Sequence, residues 1–122
     1  MLKKTFLYLL GVSFLLAGIN HFINPAFYWP LIPAYLPYPK FLNTVSGFAE
    51  ILAAILLLYK PTQKWGAYLI MALLVLFIPT HIYMIQKNGC MGALLCAPAW
   101  IAWVRLFPLQ FIFIYWAWWV RQ

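Results

Sequence analysis

The sequence predicts an all-α fold: a polytopic membrane protein, four transmembrane helices in a bundle, with a proline-rich interfacial loop between helices 1 and 2. Three observations carry this reading. Of the 122 residues, 67% are hydrophobic and only 7% charged, and the mean hydropathy is +0.91. A soluble chain this short leaves too much surface in water to hide so much apolar material, so lipid must be the solvent for most of it. The apolar residues also fall into four unbroken runs, each long enough to cross about 30 Å of hydrocarbon at about 1.5 Å per helical residue. Finally, these runs lack the alternation of polar and apolar residues that a membrane β-barrel requires. One domain, 1–122, accommodates all four spans.

The first span is residues 5–23, behind Lys3 and Lys4. Ala17-Gly18 offers a weak cleavage-like site, but the segment is read as a span rather than a signal peptide. Residues 24–40, NPAFYWPLIPAYLPYPK, follow. Pro25, Pro30, Pro33, Pro37 and Pro39 deny this stretch a regular helix, and its aromatic residues suit the membrane interface. Irregular backbone persists at membrane depth only where protein or water satisfies its polar groups. The stretch is therefore expected to lie over one end of the bundle, as a lid or as a plain interfacial linker. The second span is 41–59, and a tight turn at 60–64 leads into the third, 65–85. A looser connection, 86–98, contains Gly89, Gly92 and both cysteines before the fourth span, 99–120. Pro79 and Pro108 each remove a backbone hydrogen bond from their spans and should free the carbonyls of Val75 and Val104.

A net charge of +7 invites a nucleic-acid reading, but the placement of the charges opposes it. The Lys and Arg residues cluster near the ends of apolar runs, as topology signals do, and form no basic docking face. Lys3, Lys4, Lys60, Lys64 and Arg121 fall on one side, against Lys40, Lys87 and Arg105 on the other. The positive-inside rule then puts both termini in the cytoplasm, with 24–40 and 86–98 outside. Glu50 is the sole acidic side chain. One carboxylate cannot supply a glycosidase pair, nothing completes a Ser-His-Asp triad, and no Gly-rich phosphate loop occurs.

Polar residues inside the spans gather toward the outer end. Asn20 and His21 close span one; Asn43, Thr44, Ser46 and Glu50 occupy the outer half of span two; Thr80 and His81 end span three; Arg105 and Gln110 lie in the outer half of span four. The inner halves are plain, as Ile51 to Leu58 shows. This gradient implies a polar cavity opening outward beneath the proline-rich stretch. Asn43, Ser46, Gly47, Glu50, Ala53 and Ala54 recur at three- and four-residue steps, a single small and polar stripe. Gly11, Ser13, Ala17, Gly18 and His21 suggest a comparable small face on span one. Glu50 lies about 13 Å and Arg105 about 9 Å from the outer ends of their spans, at about 1.5 Å per residue. The two should therefore share one site, paired directly or across a ligand, if their helices adjoin. A charge at such depth is costly and is usually functional, although Glu50 could be a protonated structural carboxyl and Arg105 could snorkel to headgroups. The ligand-binding candidates are Asn20, His21, Ser46, Glu50, His81, Arg105 and Gln110. No metal site is assigned: His21, His81 and Glu50 lack ligand spacing, and Met84 with Met91 is thin evidence for a soft metal.

Cys90 and Cys96 would face the oxidising side, where a disulfide can persist. Six positions apart, they point to different faces of a continuous helix, so bonding needs an irregular loop. A structural disulfide, free thiols and a catalytic redox pair all stay open.

The ordered set AGINHFINPAFYWPLIPAYLP, SGFAEILAAILLL, FIPTHIYM and VRLFPLQFIFIYWAW resembles the DoxX family of small bacterial membrane proteins over almost the whole chain. The resemblance implies a four-helix fold in the bacterial cytoplasmic (inner) membrane. It also implies association with sulfur-compound oxidation feeding the quinone pool, or with membrane oxidoreductase and oxidative-stress assemblies. His21, Pro25, Ser46, Gly47, Glu50, Arg105 and Gln110 correspond to the family's recurrent positions. Thr80-His81 departs from the Ala-Asn common after that proline. Three functions follow as expectations. The first is an accessory or ligand-binding subunit that holds a quinone or another amphipathic small molecule, beside other membrane oxidoreductase subunits. The second is a stand-alone enzyme, either a thiol–disulfide oxidoreductase using Cys90 and Cys96 or a lipid-modifying enzyme using Glu50. The third is a ligand-free scaffold.

Overall fold

A computed structural model describes residues 1–90, Cys96 and 98–122. Its regular elements are all helical apart from one isolated bridge between Cys90 and Cys96. Helix α1 spans Leu2–Ile23 and α2 spans Pro25–Tyr28; a 3-10 turn at Trp29–Leu31 follows, and then α3 at Pro39–Leu58. A second 3-10 turn at Lys60–Thr62 leads into α4, Gln63–Leu76, and α5, Ile78–Gln86. Helix α6 covers Ala99–Val104; Arg105–Gln110 forms a wide, interrupted turn; α7 covers Phe111–Trp119. Grouped into continuous stretches, these give four helices long and apolar enough to cross a membrane: Leu2–Ile23, Pro39–Leu58, Lys60–Gln86 and Ala99–Trp119. Their outward faces carry Leu9, Leu16, Leu52, Ile55, Val75 and Phe111, all exposed, which suits a lipid solvent.

These helices begin and end within five residues of the expected bounds, and one correction concerns proline. Residues 24–40 are not wholly irregular, because Pro25 and Pro30 sit in the first turns of α2 and of the 3-10 helix. At those positions the missing N–H would be unsatisfied anyway and the fixed φ is helical. The later prolines interrupt spans three and four, and a carbonyl beside an expected one is bonded there. Span three breaks at Phe77, and the Leu74 carbonyl, one residue before the expected Val75, accepts a bond from Gln110 Nε2. Span four breaks at Phe107, whose φ of −134° and ψ of 113° are extended rather than helical. Gln110 therefore ties one proline break to the other.

Packing follows the small residues. Helices α1 and α3 pack closely, α3 packs on α4, and α4 packs on α7. Trp116 Nε1 donates to the Phe6 carbonyl at 3.0 Å and closes the ring between α7 and α1. At the α1–α3 crossing, a Cβ added to Gly47 would lie 2.8 Å from His21 Cβ and 3.1 Å from the Gly18 carbonyl oxygen. Only glycine allows that approach. Span two's predicted stripe is the packed face: Asn43, Gly47, Glu50, Ala53 and Ala54 are buried, with Ser46 partly so. The expected small face of α1 holds for Gly11, Gly18 and His21 but not for Ser13, which is exposed and bonds the Leu9 carbonyl. At 3.6 residues per turn Ser13 stands about 200° around the helix from Gly11.

The bundle consequently has two zones. Toward the termini, Leu7, Leu10, Ala53, Leu57, Ala67, Ile70, Ala117 and Val120 form a dry apolar core. Toward the proline-rich stretch, α5 packs instead on α6, on Arg105–Gln110 and on the Trp29–Leu31 turn. The proline breaks redirect both later spans there. The proline-rich stretch bridges the resulting space, and Leu31 anchors it by burying against Met84 and Ala102.

Candidate functional site

That space is a cavity of about 400 Å³. Its walls are Ala17 and His21 of α1; Phe27, Tyr28, Leu31 and Ile32 of the proline-rich stretch; Asn43, Ser46 and Glu50 of α3; Phe77 and Thr80 with His81 of span three; and Arg105 of span four. Every span contributes at least one polar side chain. Of the expected binding residues, His21, Ser46, Glu50, His81 and Arg105 line it, whereas Asn20 and Gln110 do not. Asn20 Nδ2 donates to the Tyr28 hydroxyl at 2.7 Å, and Gln110 is committed to the Leu74 carbonyl. Both have positioning roles, in the lid and at the proline breaks.

His21 is held from three sides. Asn43 Nδ2 donates to the His21 carbonyl at 3.0 Å, which orients the amide so that Oδ1 lies 2.6 Å from His21 Nδ1. An amide oxygen has no proton to give, so in this assignment Nδ1 carries the hydrogen and donates it. The Tyr28 ring stacks on the imidazole with centroids 3.8 Å apart and planes 16° from parallel. Nε2 then lies 3.2 Å from Glu50 Oε2. One proton serves both atoms: the pair is either imidazolium with carboxylate, or imidazole with carboxylic acid. Both side chains are buried, at 8% and 6% exposure, so leaving either one alone in this medium would be costly. The approach is within ion-pair reach but not aligned as a hydrogen bond, and Oε2 has no hydrogen-bond partner among the described residues.

Arg105 shares the cavity with Glu50, but of the two arrangements left open by the sequence the direct pair is not formed. Arg105 Nη1 donates instead to Met84 Sδ at 3.3 Å. The helices explain the difference, since α3 is flanked by α1 and α4 while α6 packs on α5. The two charges share a cavity without touching. His81, at 8% exposure, also lines it, and its Nδ1 has no hydrogen-bond partner among the described residues. Among the described residues no group of three or more His, Cys, Asp or Glu could hold a metal ion.

Helix α5 closes with Asn88 and Gly89 at positive φ, Gly89 N–H donating to the Met84 carbonyl and Asn88 N–H to that of Ile85. This is the six-to-one and five-to-two bonding that ends a helix in a left-handed cap. Beyond it Cys90 and Cys96, both exposed, are joined in a disulfide and do not line the cavity. Met91 and Gly92 lie outside the described residues.

Asn43 and Tyr28 were missed as site residues. Asn43 carried a signal, standing seven positions before Glu50 on the same stripe. Tyr28 carried none, because its register to His21 is set by the break at Asn24 and not by a helical period.

No curated protein and no solved structure matches this chain. A family model described as a domain of unknown function, DUF8561, matches residues 10–121, from the first turns of α1 to the end of α7, so the chain belongs to the DUF8561 family.

Proposed function

We propose that this is a multi-pass protein of the bacterial cytoplasmic membrane, with both termini cytoplasmic, whose cavity binds an amphipathic small molecule. We further propose that it serves as an accessory subunit of a membrane oxidoreductase system, as its resemblance to the DoxX family suggests. One observation carries the binding reading. Two buried polar atoms without hydrogen-bond partners among the described residues, Glu50 Oε2 and His81 Nδ1, belong to residues on one cavity whose remaining wall is largely apolar. Each such atom costs about 1–3 kcal/mol if left unsatisfied, so a ligand with a polar head and an apolar body offsets both costs at once. A quinone meets that description, and a quinone, when bound, supplies two-electron, two-proton redox chemistry. His21, Glu50, His81 and Arg105 are the residues that would hold its oxygens. The His21–Glu50 pair carries one transferable proton, on either the imidazole or the carboxyl, and Asn43 holds the imidazole in the orientation that presents Nε2. Phe27, Tyr28, Leu31 and Ile32 exclude water above it. The disulfide's place outside the cavity wall favours binding over thiol chemistry.

Native mass spectrometry of protein extracted in a nonionic detergent tests this reading. The expected spectrum shows a small-molecule adduct on the wild type. Occupancy should fall about tenfold in Glu50→Gln, equivalent to about 1.4 kcal/mol of lost affinity, while helical content stays constant. A wild type without any adduct, equally stable with and without added amphiphile, would favour the scaffold reading.

A further inference from the structure

We propose that the cavity contains an oxyanion subsite at Arg105, so that its occupant is an amphiphile with a carboxylate or phosphate head. The inference rests on the cavity-binding reading above and, within the class of amphiphiles, selects an anionic head over the uncharged head of a quinone.

Charge accounting comes first. The chain has one acidic side chain against eight Lys and Arg. That single carboxylate, Glu50, is engaged 3.2 Å from His21 Nε2. Arg105 is half-buried on the cavity wall, and its side-chain partner is the Met84 thioether, which is neutral and a weak acceptor. No second acidic side chain exists anywhere in the sequence to neutralise it. A guanidinium in a low-dielectric wall keeps its charge, so the missing partner must come from outside the chain.

The neighbouring groups indicate what kind of partner this is. His81 lines the same cavity, buried, with Nδ1 unpartnered among the described residues, and as a neutral ring it can present a hydrogen there. A fork of guanidinium donors beside an imidazole matches an oxyanion with two or more oxygens, the geometry in which arginine binds most strongly. The His21–Glu50 pair on the same cavity carries one proton in addition to the Nδ1 hydrogen and is neutral overall, so it sets up no net repulsion against an anion. The apolar wall of Leu31, Ile32 and Phe77 accepts a hydrocarbon chain. Snorkelling of Arg105 to the bilayer's phosphates uses the same chemistry, with a lipid headgroup as the source.

The test uses the whole protein in dodecyl maltoside, which carries no anionic group, with thermal unfolding and direct binding as readouts. Sodium dodecanoate is titrated beside decylubiquinone, which offers a comparable tail and an uncharged head. Dodecanoate should raise the melting temperature saturably and bind at least about tenfold more tightly than decylubiquinone. Arg105→Met and Arg105→Gln should each erase that preference, and Arg105→Lys should keep part of it. Arg105-dependent competition by phosphatidylglycerol supports the subsite and identifies a bilayer lipid as the source; competition by inorganic phosphate supports it with a free anion as the source. Decylubiquinone binding as tightly as dodecanoate would overturn the oxyanion subsite and leave the cavity reading standing. So would full dodecanoate affinity in a folded Arg105→Gln protein. Failure of both amphiphiles to bind would overturn the two readings together.

Discussion

Gly47→Ala is expected to destabilise the protein, even though alanine is the better helix former by about 1 kcal/mol. The sign decides between two effects. If α1 and α3 were merely adjacent, the substitution would gain helix propensity and raise the melting temperature. The added methyl instead lies 2.8 Å from His21 Cβ, 2.9 Å from Phe22 Cε2 and 3.1 Å from the Gly18 carbonyl oxygen. Two of these three atoms are backbone or backbone-fixed, so the helices must part rather than a side chain turn. Overpacking of this kind costs about 1–3 kcal/mol, and close packing of small residues is what holds membrane helices together. Thermal unfolding in detergent should show a lower midpoint for Gly47→Ala and a much lower one for Gly47→Leu. Because the same contact positions His21, ligand occupancy should fall in both. A raised midpoint for Gly47→Ala would refute the close crossing.

The second large effect concerns the pair at the cavity's edge. Removing one member of a buried ion pair is expected to cost about 3–5 kcal/mol, whereas replacing both with apolar groups of similar size is often neutral. His21→Phe keeps the ring that stacks on Tyr28 but leaves Glu50 without its neighbour; Glu50→Leu leaves the imidazole facing hydrocarbon. Each single variant should be destabilised strongly, and the double variant should recover most of the loss. With single losses of that size and a near-neutral double variant, the coupling in that cycle should exceed the usual range of about 0.5–3 kcal/mol. The corresponding Glu50 and Arg105 cycle should show little coupling, since these residues do not touch. Additive losses for His21 and Glu50 would mean that they act separately.

Axial position was legible in the sequence, and position around the bundle was not. Apolar runs and a rise of about 1.5 Å per residue give where a residue lies along a span, and they indicated that His21, Glu50, His81 and Arg105 gather toward one end. The stripe on span two was legible for the same reason, because one helical period decides which of its residues share a face. Which helix stands beside which depends on packing between segments far apart in sequence. Hence Glu50 meets His21 on α1, and Arg105 meets Met84 on α5, rather than each other. The proline breaks hid the rest. Periodicity says nothing across Asn24, so the stacking of Tyr28 on His21 left no trace, and Gln110 reads as a ligand-binding group until Leu74's carbonyl is seen to need it.

Polar groups from all four spans meet in one cavity beneath the proline-rich stretch, and we propose that it holds an amphiphile. Photolabelling tests it most directly, using dodecanoate and decylubiquinone analogues that carry a diazirine in the chain, followed by mapping of the modified residues. The predicted result is saturable labelling of Ala17, Phe27, Ile32 and Phe77, suppressed by unlabelled amphiphile and reduced in Gly47→Leu. Labelling confined to the outward-facing Leu9, Leu16, Leu52 and Val75, unaffected by competitor, would contradict it.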